Sequence, residues 1–143
     1  MSDYPRLLAK ALAASACQTG TLHWLDSKSG LLRLKGHTGL PEEVAKIVET
    51  VPVGKGMAGL AAERREPVQT CNLQTDPSSD IRPGAKAVPV QASIAIPIIV
   101  DGRLCGVLGL AKTAYHEWDK AEIDVLRSVA TQLGRDTEAV LRQ

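Results

Sequence analysis

The stretch SIAIPIIVDGRLCGVLGLAK, residues 93–112, decides the fold. It reads as two apolar strands joined by the turn Asp101-Gly102. A type I′ hairpin turn needs positive φ at both central residues, which Asp-Gly tolerates. Counting back from that turn pairs Val100 with Arg103, Ile98 with Cys105, Pro97 with Gly106 and Ile96 with Val107. Ile94, Ile96, Ile98 and Val100 then share one face, and Ala95, Pro97 and Ile99 the other. The second strand sets Leu104, Leu108 and Leu110 on one side and Cys105, Val107 and Ala111 on the opposite one. Strands apolar on both faces belong at the covered centre of a sheet.

Proline cannot donate to a ladder, so Pro97 constrains its neighbours. In the hairpin it falls at a non-bonded pair, and its missing N–H would have faced outward. The first strand is therefore expected to have a short or interrupted outer partner, leaving room there for a loop or a ligand.

The totals narrow the function class. A chain of 143 residues with 44% hydrophobic and 23% charged content suits one globular domain with a proper core. Phenylalanine is absent and aromatics make 3%, so the core is aliphatic and base stacking has little to work with. A formal charge of +1 gives no basic footprint for nucleic acid. No apolar run approaches the roughly 20 residues of a membrane helix, and no signal peptide is visible. Three scattered cysteines, Cys17, Cys71 and Cys105, point to a reducing, cytoplasmic setting rather than a disulfide framework.

Along the chain, a helix is predicted over residues 5–18, capped by Asp3 and ended by Gly20. Its apolar face is Leu7, Leu8, Ala11, Leu12 and Ser15, and Cys17 reads as a small buried hydrophobe. A second hairpin joins 21–26 to 31–35 through a turn at 27–30, with His23 read as an exposed or hydrogen-bonded strand position. A short helix is expected from Pro41 to about Thr50, burying Val44, Ile47 and Val48. The glycine-rich run 51–59 enters a helix over 57–65. It lacks the spacing of a phosphate loop or a dinucleotide fingerprint, so a structural turn is the default. Residues 67–71 form a short strand, and 72–91 is a long loop read as a lid over one sheet face. The final helix, 119–142, starts at a capping box, Asp119 with Glu122, beside a staple of Trp118 and Ile123. Its stripe is Ile123, Leu126, Val129, Ala130, Leu133, Val140 and Leu141, with Gly134 permitting a close helix contact.

In this order the parts resemble a GAF domain over nearly the whole chain. The likeness rests on VPVGKGMAG at 51–59, EPV at 66–68 with Asn72-Leu73 and Asp76-Pro77, the 93–112 hairpin, and WDKAEID at 118–124. It implies one α+β domain spanning 1–143. A central antiparallel sheet of five or six strands would carry both terminal helices on one face. A loop and short helices would roof a ligand cavity on the other. It further implies a sensory or regulatory role, with a homodimer formed through the terminal helices. Ile94, Ile96, Leu34 and Met57 are expected as apolar walls of the cavity, and Asn72, Asp76, Asp80 and Arg82 as the polar groups that orient a small molecule.

Three competing readings remain. One is a ligand-free dimerisation module. Another is a free methionine-(R)-sulfoxide reductase, but its members carry a cysteine where Ala58 stands and more in the loop before the hairpin, where 72–91 has none. The third is a metal site from Cys71, Asp76 and Asp80, against which the histidines His23, His37 and His116 lie apart in sequence. No catalytic residue, metal or cofactor is assigned, and neither nucleic acid nor membrane is expected as a partner.

Overall fold

The computed structural model describes residues 4–70 and 92–141. The elements, in order, are α1 (Tyr4–Ser15), β1 (Thr19–Asp26), β2 (Leu31–Thr38), α2 (Glu42–Ile47), β3 (Thr50–Pro52), α3 (Gly56–Arg64), β4 (Val68–Thr70), β5 (Ala92–Val100), β6 (Arg103–Lys112) and α4 (Lys120–Leu141). The described strands make one six-stranded sheet in the order β3-β2-β1-β6-β5-β4, antiparallel throughout. The fold is α+β, as the pattern of strands and helices predicts.

The β5–β6 turn forms as the Asp-Gly pair requires, with φ of 52° at Asp101 and 77° at Gly102. Val100 pairs with Arg103, but the ladder then slips between Ile98 and Ile99. Ile98 pairs with Gly106, Pro97 with Val107 and Ile96 with Leu108, which corrects the other three partners counted back from the turn. The cause is a bulge that leaves Cys105 without a cross-strand partner. One extra residue reverses which face the later side chains take. Cys105 therefore packs with Leu108 and Leu110, while Leu104 joins Val107 on the other side. β4 pairs with β5 only at Ser93, Ile94 and Ala95, so the outer ladder ends before Pro97.

Each face of the sheet has its own core. On one, Leu7, Leu8 and Ala11 of α1 and Leu126, Ala130 and Leu133 of α4 cover Leu22, Ile94, Ile96, Ile98, Leu108 and Leu110. Full burial of each such aliphatic side chain contributes about 1.5–3 kcal/mol. On the other, Ala61 and Ala62 of α3 pack with Leu32, Val51, Val68, Ala95 and Val107.

The ends of the helices have local causes. α1 stops at Ser15 because Ala16 turns to φ 54°, and Gly20 lies inside β1 rather than ending the helix. α2 is shorter than predicted, since Thr50 already belongs to β3, and Ile47 is 50% exposed rather than buried. α3 begins at Gly56 and closes with Arg65 in the left-handed region. At α4 the capping box is complete: the Glu122 amide donates to Asp119 Oδ1 at 2.8 Å, and the Asp119 amide to Glu122 Oε1 at 3.2 Å. Trp118 and Ile123 both reach the α1–α4 core. The capping role of Asp3, the 72–91 lid and the side chains of Val140 and Leu141 fall outside what is described.

Gly134 lets α4 lie directly on β5. A Cβ there would sit 2.5 Å from Ile98 Cγ2 and 2.8 Å from Val100 Cγ2. Both neighbours are β-branched and stiff at χ1, so they yield little. Gly134→Ala is expected to destabilise the domain by about 1–2 kcal/mol, despite the roughly 1 kcal/mol that alanine gains in a helix. Urea denaturation measures this, and a more stable variant contradicts the packing described.

Candidate functional site

On the α3 side of the sheet the packing leaves a cavity of about 140 Å³. Its floor is two cross-strand rows. Thr19, Ala111 and Ser93 form one row, and Thr21, Gly109 and Ala95 the next. Three of these six residues are alanine or glycine, so the floor carries little side-chain volume. Gly109 is obligatory, because a Cβ on it would lie 2.4 Å from Thr21 Oγ1. Leu40, Val44, Val48 and Val51 line the side of α2 and β3, and Lys55, Gly56, Met57 and Ala58 supply the start of α3.

The polar groups of the cavity come from β1. Thr19, Thr21 and His23 recur at every second position, so they share the face opposite Leu22 and Trp24. Thr19 is 8% exposed, and its side chain makes no hydrogen bond to another described residue. His23 is 3% exposed, and its Nε2 lies 2.8 Å from the Val48 carbonyl oxygen. A carbonyl only accepts, so Nε2 carries the proton and donates. The buried Nδ1 has no partner among the described residues. Burial pushes the His23 pKa below its ordinary 6.5, only partly offset by the Val48 bond.

The start of α3 lacks a side-chain cap. Lys55 occupies the N-cap, and the first turn holds no acidic residue. The first intrahelical bond is that from the Gly59 amide to the Lys55 carbonyl, at 3.1 Å. The amides of Gly56, Met57 and Ala58 thus precede the helical ladder.

Of the residues expected at the site, Met57 lines the cavity and Ile94 borders it, though the Ile94 side chain packs in the α1–α4 core. Ile96 lies wholly in that core, on the opposite face, because it shares the parity of Ile94. Leu34 is half-buried opposite His23 on β2 and does not border the cavity. Asn72, Asp76, Asp80 and Arg82 lie outside the described residues. Thr19, Thr21, His23, Ser93 and Lys55 are cavity residues that the sequence reading passed over. The alternation Thr-x-Thr-x-His in β1 is the signal that marks them.

Thiol and metal chemistry find little support among the described side chains. Burial raises the Cys17 thiol pKa, and burial with the Glu138 carboxylate raises that of Cys105 to about 11. Cys105 Sγ donates to Glu138 Oε1 at 3.2 Å, and Glu138 is held by Arg103 at 2.8 Å. Both thiols are buried and free. Among the described residues no three His, Cys, Asp or Glu side chains come together.

The neutral state of His23 makes an acid-side prediction. A base whose folded pKa lies below its unfolded value is charged first in the unfolded chain, so stability falls as pH drops below 6.5 and levels off below the folded pKa. His23→Gln keeps a donor for Val48 without titrating. Thermal melts from about pH 7 to about pH 5 should show a shallower loss in the variant. Parallel curves for the two proteins contradict the burial described.

Comparison with known proteins places this geometry. The profile of the GAF domain family matches residues 5–135. No curated protein matches the chain. Among solved structures, the GAF domain of a phosphoenolpyruvate-protein phosphotransferase from Coxiella burnetii superposes with a TM-score of 0.77 at 22% identity, covering 95% of this chain and 80% of that one. A domain of a putative two-component sensor histidine kinase from Sinorhizobium meliloti 1021 gives 0.74 at 20% identity, with 95% and 88% covered. The free methionine-R-sulfoxide reductase from Neisseria meningitidis, solved with its substrate, gives 0.72 at 21% identity, with 95% and 80% covered. At these identities the likeness is one of fold.

Proposed function

Because the chain belongs to the GAF domain family, we propose that it is a sensory domain that binds a small molecule in this cavity and signals through α1 and α4 as a homodimer. The carrying observation is the position of the cavity. Its floor residues Ser93, Ala95, Gly109 and Ala111 alternate along β5 and β6 with Ile94, Leu108 and Leu110, which pack under the helices. A ligand that prefers one placement of these strands biases the helix layer by its differential affinity for the two states. The outer flanks of the helices support self-association, with Ala9, Ala13 and Ala14 of α1 and Ala121 and Val125 of α4 exposed.

The reading is non-enzymatic. A thiol mechanism needs a thiolate, and both described cysteines are held in the protonated form. Cys71 lies outside the described residues.

Two measurements test the proposal. Protein purified from cells and then denatured should release a small molecule detectable by mass spectrometry. Ala95→Leu, which fills the floor, should release none while keeping its circular dichroism; equal release from both proteins contradicts binding at this site. Sedimentation equilibrium should show a dimer that Val125→Glu dissociates, and a monomer at every concentration removes the dimer from the account.

A further inference from the structure

We infer that the cavity is built for a small aliphatic monocarboxylate, held by the start of α3 and Lys55 at one end and by the Thr19 hydroxyl. This rests on the reading of the cavity as a ligand site and specifies the chemistry of its occupant. Three independent features lead to it: charge, an unpartnered donor, and size.

The charge is one-sided. Among the described lining residues Lys55 is the ionised group, and none is an aspartate or glutamate. Gly56, Met57 and Ala58, whose amides precede the helical ladder, are among the lining residues. Partial positive charge from the helix start adds to the Lys55 ammonium. Among the described lining residues a cationic ligand finds no counter-charge, whereas one carboxylate is matched by one lysine and one helix end.

The unpartnered donor is Thr19. The residue is buried to 8% exposure on the cavity floor, yet its hydroxyl has no described partner. That leaves the hydroxyl able to bond to an occupant of the cavity. A carboxylate offers two oxygens with several lone pairs, enough for amides, ammonium and hydroxyl together.

Size and wall chemistry fix the remainder of the molecule. A cavity of about 150 Å³ holds benzene, so the 140 Å³ here takes about six to eight non-hydrogen atoms. Leu40, Val44, Val48 and Val51 offer aliphatic surface from other elements, and Met57 adds its side chain at the helix start. The occupant is an anionic head with a short hydrocarbon tail.

The test uses isovalerate as probe, with isovaleramide as the neutral isostere and isoamylamine as the cation, on the whole chain at constant ionic strength. Amide resonances of Gly56, Met57, Ala58 and Thr19 are followed by NMR titration. Isovalerate should shift these four and bind at least about tenfold more tightly than isovaleramide, as expected for charge-assisted bonds. Lys55 is exposed, so Lys55→Met should fold normally and weaken isovalerate about tenfold while leaving isovaleramide unchanged. Thr19→Val, close in shape, should also weaken isovalerate. If isovalerate and isovaleramide bind equally and Lys55→Met changes neither, the carboxylate assignment is overturned and the ligand cavity stands. If the amine or the amide binds best, the assignment is likewise overturned. If none of the three probes moves any lining resonance, both the assignment and the ligand reading fail.

Discussion

Neighbouring positions on a strand go to opposite faces, so the outer part of the β5–β6 hairpin, residues 93–96 and 108–111, sorts its residues by size. Ile94, Ile96, Ile98, Leu108 and Leu110 all go to the α1–α4 side. Ser93, Ala95, Gly109 and Ala111 go to the α3 side. One face is thus filled to the density of a protein interior, and the other is left short of volume. The sheet can be a rigid floor and a cavity wall at once only because these two sets never mix. A single-residue slip in the outer half of the hairpin would exchange them and put isoleucine where the hollow is.

The bulge at Cys105 is therefore a structural device rather than an irregularity. It absorbs one residue between the turn and the central ladder, so that Leu108 and Leu110 arrive on the helix side. Gly134 reinforces the same arrangement by letting α4 rest on Ile98 and Val100. The helix layer is fixed from its start by the Asp119–Glu122 capping box and along its length by this contact. β5 and α4 thus meet through close-packed branched side chains. The cavity face has looser terms. On its floor the Ser93 hydroxyl donates to the Leu110 carbonyl at 3.4 Å, whereas Thr19 has no hydrogen-bond partner among the described residues.

Much of this was legible in the residues. The Asp-Gly turn, the apolar strands, the capping box and the two-layer arrangement each follow from local chemistry that needs no tertiary information. The register beyond Cys105 did not, because a bulge depends on how β1 and β5 lie on either side of β6. Leu34 and Ile96 were expected at the cavity because they are apolar, but apolarity does not say which face a residue serves. The parity of β1 does: threonine, threonine and histidine alternating with leucine and tryptophan mark a polar-tolerant face inside the molecule. His23 reads as unremarkable in sequence and turns out to be buried against the Val48 carbonyl, since burial of a polar group depends on an acceptor 25 residues away.

The central claim is that the α3 face of the sheet is hollow by virtue of Ala95, Gly109 and Ala111. Crystals pressurised with xenon test it most directly, because xenon enters apolar voids without needing a specific partner. The account predicts a xenon site bounded by those three residues and by Met57 and Val48. A map with no xenon there, and with Met57 packed down against Ala95, would contradict it.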